Sequence, residues 1–169
     1  VGSEMCIRDR SNNQIPNHFI KKISNRQQLI HQCKIIPLEV VVRNIAAGSI
    51  CKRLGIKEGK IFKDPIIEFY YKNDELNDPI VNNSHIISFG WSNKEELFKI
   101  NQISLKINKI LKKKFEEISI SLIDFKLEFG RKTSDDSLLV ADEISPDSCR
   151  LCDLNNKEKF DKDIFRYDK

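Results

Sequence analysis

The stretch "LIDFKLEFG", Leu122 to Gly130, decides how the chain is read. Asp124, Lys126 and Glu128 alternate with Phe125, Leu127 and Phe129, and a period of two is the signature of a β-strand. Leu122 and Ile123 in front of it suit a core. With a rise of about 3.3 Å per residue, the three charged side chains stand roughly 7 Å apart on one face. A face that needs only wetting would take Thr, Ser or Lys at lower cost. The plain reading of acid, base and acid in a row is an exposed face laced by cross-strand ion pairs.

The sharper reading adds the neighbour that a hairpin would bring alongside. A turn at 133–136 and a strand over 137–144 place Asp142 and Glu143 next to the first strand. Two acids on adjacent strands can converge on one hard cation. Magnesium favours a few carboxylates plus phosphate oxygens over a full protein cage. Such a face could hold Mg²⁺ and a nucleotide, with Lys126 offsetting negative charge.

Upstream, "IIPLEVVVRN" (35–44) is β-branched and reads as a strand with Pro37 near its start. "AAGSICKRLG" (46–55) switches to helix chemistry and stops at Gly55. "RNIAAGS" (43–49) joins the two. Arg43 beside a small-residue turn at a helix start suits phosphate or carboxylate, although Ala-Gly-Ser there is also ordinary capping. "PIIEFYYK" (65–72) is strand-like and 73–79 is a polar loop. Residues 93–118 form the best helix. Ser92 and Glu95 suggest its capping box, and Leu97, Ile100, Ile103, Ile107, Ile110 and Ile118 form its apolar stripe. The order strand, helix, strand, long helix, hairpin predicts an α+β fold, with helices on a largely antiparallel sheet.

Bulk properties exclude several classes. With 29 Lys+Arg against 25 Asp+Glu, the net charge is +4, far from that of a dedicated nucleic-acid binder. Lys112, Lys113 and Lys114 are read as a solvated helix end that suits the dipole. The alternative is a non-catalytic RNA-binding module, which lacks aromatic interleaving here. No apolar run approaches the roughly 18 residues of a membrane span. Five cysteines at irregular spacing point to reduced thiols in the cytoplasm. Cys149 and Cys152 form one C-x-x-C without the further ligands a zinc site needs. The H-R-D and D-F-G elements of a protein kinase are missing.

Together these segments resemble the SAICAR synthetase family. "IIPLEVVVRNIAAGS" (35–49) and "LIDFKLEFG" (122–130) are similar to its two signatures. "KRLGIKEG", "YYKNDELNDPIVN", "FGW", "DEISPDSCRLCD" and "DKDIFR" follow the family in order, so the likeness runs from about Ile15 to Arg166. The resemblance implies an ATP-dependent ligase of purine biosynthesis. Its substrates would be carboxyaminoimidazole ribonucleotide, L-aspartate and ATP, with Mg²⁺ as cofactor. It implies the family fold, mostly the larger ATP-cleft lobe with a mainly antiparallel sheet. It also implies roles for single residues. Glu128 and Asp142 would serve the metal and the ATP phosphates, with Lys72 beside the nucleotide. Asp124 and Lys126 would lie at the reacting centre. Arg43, Ser49, Asp78, Arg150 and Arg166 would hold the ribonucleotide, and Lys72 and Asp78 would sit on a loop that covers it.

The chain also departs from the family pattern. Residues 1–10 lack periodicity and read as a non-native leader, and 11–34 read as a remnant of an N-terminal lobe. The catalytic lobe would occupy 35–169. No G-K-x-K phosphate-binding segment is found, nor the family's last helix. Cys149 and Cys152 stand where Gly and an aromatic are usual. The expectation is therefore that this polypeptide alone is inactive or nearly so. Oligomeric state is left open.

Overall fold

Two thirteen-residue strands, β3 (Cys33–Ile45) and β6 (Ile120–Lys132), pair antiparallel at the centre of the fold. The computed structural model describes residues 15–145, 148–154 and 159–160. The central pair forms because each strand carries one fully apolar face. Leu38, Val40 and Val42 of β3 and Phe125, Leu127 and Phe129 of β6 are all buried. Burying six such side chains contributes on the order of 1.5–3 kcal/mol each before the entropy of ordering is subtracted.

The sheet extends outward from this pair. On one side lie β4 (Ile61–Tyr71) and β5 (Ile80–Val81), and on the other β8 (Cys149–Asp153) and β9 (Lys159–Phe160). β7 (Leu138–Ala141) pairs with the far half of β6, completing the expected hairpin. Every strand pairing in this sheet is antiparallel. A separate two-stranded sheet, β1 (Phe19–Ser24) with β2 (Gln27–Ile30), precedes it.

Three α-helices lie among the described residues: α1 (Ser49–Leu54), α2 (Asn83–Ser88) and α3 (Lys94–Glu116). α3 buries Leu97, Ile100, Ile107 and Leu111 in the same cluster as the apolar sheet face. Its basic last turn holds Lys113 and Lys114, where cations offset the helix dipole. A polar pair also crosses this interface. Asn44 Nδ2 donates to Asn108 Oδ1 at 2.8 Å, and Asn108 Nδ2 returns a bond to Asn44 Oδ1 at 2.9 Å. Asn44 Nδ2 also reaches the Leu122 carbonyl at 3.2 Å. One helix position is thereby tied to both central strands. No helix among the described residues is long and apolar enough to cross a membrane.

The α+β architecture agrees with the sequence, and several details differ. The capping box of α3 is Asn93 with Glu96, one residue beyond the expected Ser92 and Glu95. Ser92 instead donates its hydroxyl to Glu96 at 3.0 Å, because Glu96 is also held by Arg131. Ile118 lies past the helix end and is exposed, and Leu111 fills the core in its place. α1 starts at Ser49, after the small-residue turn. β7 stops at Ala141 because Asp142 adopts a left-handed φ of 61°. Cys149–Asp153, which the sequence does not mark as a strand, forms β8, whose Cys149 and Leu151 are core residues. α2 and β5 escaped the sequence reading because they are short.

The buried asparagine pair gives a stability test. Asn108→Ala leaves the Asn44 amide without its partner and is expected to cost about 2 kcal/mol. In a double-mutant cycle by urea unfolding, adding Asn44→Ala should cost less than the sum of the single changes, with a coupling of about 1 kcal/mol. Strict additivity would contradict the pairing.

Candidate functional site

The sheet face opposite the core carries the polar residues. Because β3, β6 and β8 are in register, Arg43, Asp124 and Arg150 sit side by side across three strands. Arg43 Nη1 donates to Asp124 Oδ2 at 2.7 Å, and Arg150 Nη1 donates to the two Asp124 oxygens at 2.9 and 3.2 Å. On the other side Arg43 Nε donates to Glu68 Oε2 at 2.8 Å. Glu68, on β4, also receives the Tyr70 hydroxyl at 2.8 Å and the Arg53 guanidinium of α1. Arg53, Glu68, Arg43, Asp124 and Arg150 thus form a row of alternating charge. Three guanidiniums against two carboxylates leave this row one positive charge.

Arg43 is only 3% exposed, and Asp124 likewise. Burial works against the Arg43 charge. Hydrogen bonds to Glu68 and Tyr70, with the charges of Asp124 and Glu68, outweigh it and hold the guanidinium above its ordinary pKa. Burial also opposes ionisation of Glu68. The bonds from Arg43 and Tyr70 and the charges of Arg43 and Arg53 overcome that and hold its carboxyl below the usual range. The remaining edge of Arg43, Nη2, makes only long contacts, 3.3 Å to the Tyr70 hydroxyl and 3.4 Å to Ser49 Oγ. Ser49 is exposed at the start of α1. An oxygen that accepts from Arg43 leaves the Ser49 O–H directed outward as a donor.

Gly48 lets this turn close over the row. Its φ is +65°, and a Cβ there would stand 3.0–3.3 Å from the Arg150 guanidinium. The Ala47 carbonyl accepts from Arg43 Nη1 at 3.3 Å. The small residues of "AAGS" therefore bring the backbone close to Arg43 and Arg150 and the Ser49 hydroxyl to Arg43, and two guanidiniums side by side suit an anionic group.

A second cluster lies four residues further along β6, about 13 Å away at the strand rise. Glu128 is buried, and both its oxygens accept from Lys72 Nζ at 2.7 Å. Lys126 Nζ lies 3.7 Å from Glu128 and 2.5 Å from Glu39 Oε1. The hydrogen bond to Glu128 raises the Lys72 pKa against a smaller opposing effect of burial, and the charges of Glu128, Glu39 and Asp142 add to it. Glu128 holds Lys72 by direct bonds, and the charge of Asp142 also favours that ammonium. The left-handed backbone that ends β7 turns Asp142 out of the ladder.

Lys72 is aimed by the course of β3. Between Ile35 and Glu39 this strand spends four residues where β6 spends two, and Pro37 sits in the bulge. The Pro37 carbonyl accepts the Lys72 N–H at 3.1 Å. Gly130 allows the strands to cross here, since a Cβ on it would stand 2.9 Å from Cys33 Cβ and 3.2 Å from the Lys34 carbonyl.

Two sequence candidates remain. Asp78 closes its own loop, accepting the Asn73 N–H at 2.8 Å. Arg166 lies outside the described residues, as does the proposed leader 1–10. None of the four described cysteines is in a disulfide. Four residues of the site were missed: Glu39, Arg53, Glu68 and Tyr70. Glu39 shares its strand face with Arg43, and Glu68 with Tyr70, so alternation marked each pair. Which strands lay beside one another was the missing information.

The family model described as SAICAR synthetase matches residues 3–169. The chain belongs to the SAICAR synthetase family. A phosphoribosylaminoimidazole-succinocarboxamide synthase of Anoxybacillus flavithermus is 54% identical over 154 residues, covering 91% of this chain. This chain spans only 64% of that relative's length. The crystal structure of the synthase from Ehrlichia chaffeensis superposes with a TM-score of 0.93 at 50% identity, covering 98% of this chain and 70% of that one. A SAICAR synthetase solved in complex with ADP gives a TM-score of 0.92 at 43% identity, with coverage of 98% and 70%. The mixed fold with its antiparallel sheet is thus the SAICAR synthetase fold.

The depressed Glu68 carboxyl sets a pH dependence. Its stabilising effect is complete above the ordinary glutamate value of 4.5 and is lost as pH falls through the lower folded-state value. Denaturant unfolding from pH 7 downward should show an acid limb that is shallower in Glu68→Gln. Identical limbs would remove Glu68 from the ionised row.

Proposed function

We propose that this chain belongs to an ATP-dependent ligase joining L-aspartate to the carboxylate of carboxyaminoimidazole ribonucleotide, in purine biosynthesis. The observation that carries this reading is the single polar sheet face. It bears a cationic row at one end and the Lys72–Glu128 ion pair, with Lys126 and Glu39, at the other, in a chain of this family.

A carboxylate is a poor electrophile until one of its oxygens becomes part of a leaving group. Transfer of the γ-phosphoryl of ATP onto the substrate carboxylate gives an acyl phosphate and ADP. The aspartate amine then attacks the acyl carbon, the C–N bond forms, phosphate leaves and the amine gives up a proton. Every reactant is anionic, so the chain's contribution is orientation and charge. The Ser49 hydroxyl, Arg150 and the Nη2 edge of Arg43 take the ribonucleotide phosphate. Lys126 and Lys72 face the reacting carboxylate and the transferring phosphoryl. Asp124 positions Arg43 and Arg150.

Mg²⁺ fits the second cluster. Glu128 and Asp142 are hard oxygen donors, and the charges of both act on the Lys72 ammonium. Among the described residues, no group of three or more His, Cys, Asp or Glu side chains forms a fuller cage. Magnesium held by one or two carboxylates and substrate phosphates needs no more. When bound, it would spread the charge of the transferring phosphoryl.

We assign residues 35–169 to the catalytic lobe and 11–34, with the separate β1–β2 sheet, to the remnant of the other. A cytoplasmic location goes with the pathway. Because the chain spans 64% of its relative's length, the activity is proposed for the complete gene product. The 169 residues alone should turn over slowly or not at all.

The test is ATP- and aspartate-dependent succinocarboxamide formation by the complete gene product. Glu128→Gln should lower kcat by at least about 100-fold while the fold is retained. Unchanged turnover would remove Glu128 from the site, and absence of activity in the unaltered protein would overturn the ligase assignment.

A further inference from the structure

We propose that Glu68 is a positioning residue that sets the rotation of the Arg43 guanidinium, and through it the affinity for the phosphate-bearing substrate. This rests on the reading of Arg43, Ser49 and Arg150 as an anion cradle.

Arg43 has five N–H donors, and their partners divide into two groups. Nε is held by Glu68 at 2.8 Å and Nη1 by Asp124 at 2.7 Å. Nη1 also reaches the Ala47 carbonyl at 3.3 Å, whereas Nη2 makes only long contacts, at 3.3 and 3.4 Å. A planar guanidinium fixed at Nε and Nη1 has no rotational freedom left, so its third edge must face Ser49. Asp124 and the Ala47 carbonyl cannot do this alone, since both meet Nη1 and leave the plane free to tilt about that nitrogen. Asp124 is also shared with Arg150, so the second fixed point must come from elsewhere. β4 supplies it from the opposite side.

Glu68 is suited to this task and is itself held rigidly. Its Oε2 accepts from Arg43 Nε and from the Tyr70 hydroxyl, and its Oε1 accepts from Arg53. Arg53 Nη1 also reaches the Tyr70 hydroxyl at 3.2 Å. All three donors need an acceptor, and a carboxylate provides two oxygens for them. An amide provides one oxygen and turns an N–H₂ toward a cation, so Gln cannot satisfy the same neighbours. Arg53 lies on α1, the helix that begins with Ser49. Glu68 therefore fixes the two sides of the cradle to each other, Arg43 directly and the Ser49 helix through Arg53.

The effect should be specific to one substrate. Glu68→Gln should raise KM for the ribonucleotide about tenfold, with KM for ATP and kcat within about twofold. Glu68→Asp keeps the charge and should recover most of the loss. Arg53→Gln alters a partly exposed side chain and should raise the same KM about threefold, which keeps the test available if Glu68→Gln fails to fold. The independent readout is the Arg43 Nε–H resonance in ¹⁵N NMR of the complete gene product. It should be protected from exchange in the unaltered protein and lose protection in Glu68→Gln and Arg53→Gln.

An unchanged Nε–H resonance in a folded variant overturns the proposal. So does an equal rise in KM for every substrate, the mark of a merely structural defect. If the unaltered protein shows no ligase turnover, the ligase reading fails, and the Nε–H measurement alone decides whether Glu68 holds Arg43.

Discussion

A buried guanidinium is tolerated only when its charge is balanced, since removing an unpaired ion from water costs several kcal/mol. Arg43 meets that demand through Glu68 on one side and Asp124 on the other. Each carboxylate is in turn balanced by an outer arginine, Arg53 or Arg150. The site depends on this alternation. Removal of any inner member leaves a neighbour charged, buried and unbalanced. The two outer arginines are more exposed than the three groups between them, so the surplus positive charge lies where a ligand can reach it.

The sheet exists in part to keep this row in line. Register between β3, β6 and β8 puts Arg43, Asp124 and Arg150 at the same level, and the aromatic residues on the reverse of β6 fix that register against α3. A slip of one residue would turn Phe125 to solvent and Asp124 into the core. The hydrophobic face thus enforces the polar one. The same strand carries both clusters, so their separation is set by backbone geometry and is insensitive to loop motion. Loops contribute the adjustable parts: the "AAGS" turn over the arginines, and the start of the 72–79 loop, where Lys72 leans on the Pro37 carbonyl to reach Glu128.

Much of this could be read from the sequence. The alternation in "LIDFKLEFG" located the two-faced strand, and Asp124, Lys126 and Glu128 do share a face. "RNIAAGS" marked the turn that meets the arginines. What the sequence withheld was adjacency. Glu68 sits 25 residues from Arg43, and nothing local says that β4 lies against β3 in the register that joins them. Glu39 looked like the polar face of an ordinary strand until its pairing with Lys126 was known. β8 went unseen because "CRLCD" is short and follows a turn-rich stretch, although its pairing with β6 delivers Arg150. Asp78 lies on the expected loop, where one of its carboxylate oxygens accepts the Asn73 N–H.

The central claim is that one sheet face, with its two clusters, receives the nucleotide substrates. Amide chemical-shift mapping of the complete gene product tests it most directly, with carboxyaminoimidazole ribonucleotide and Mg-ADP added separately. The account predicts that the ribonucleotide shifts the amides of 43–49, 124 and 150. Mg-ADP should shift those of 72, 128 and 142. Perturbations confined to the lysine-rich face of α3, or absent from both clusters, would contradict it.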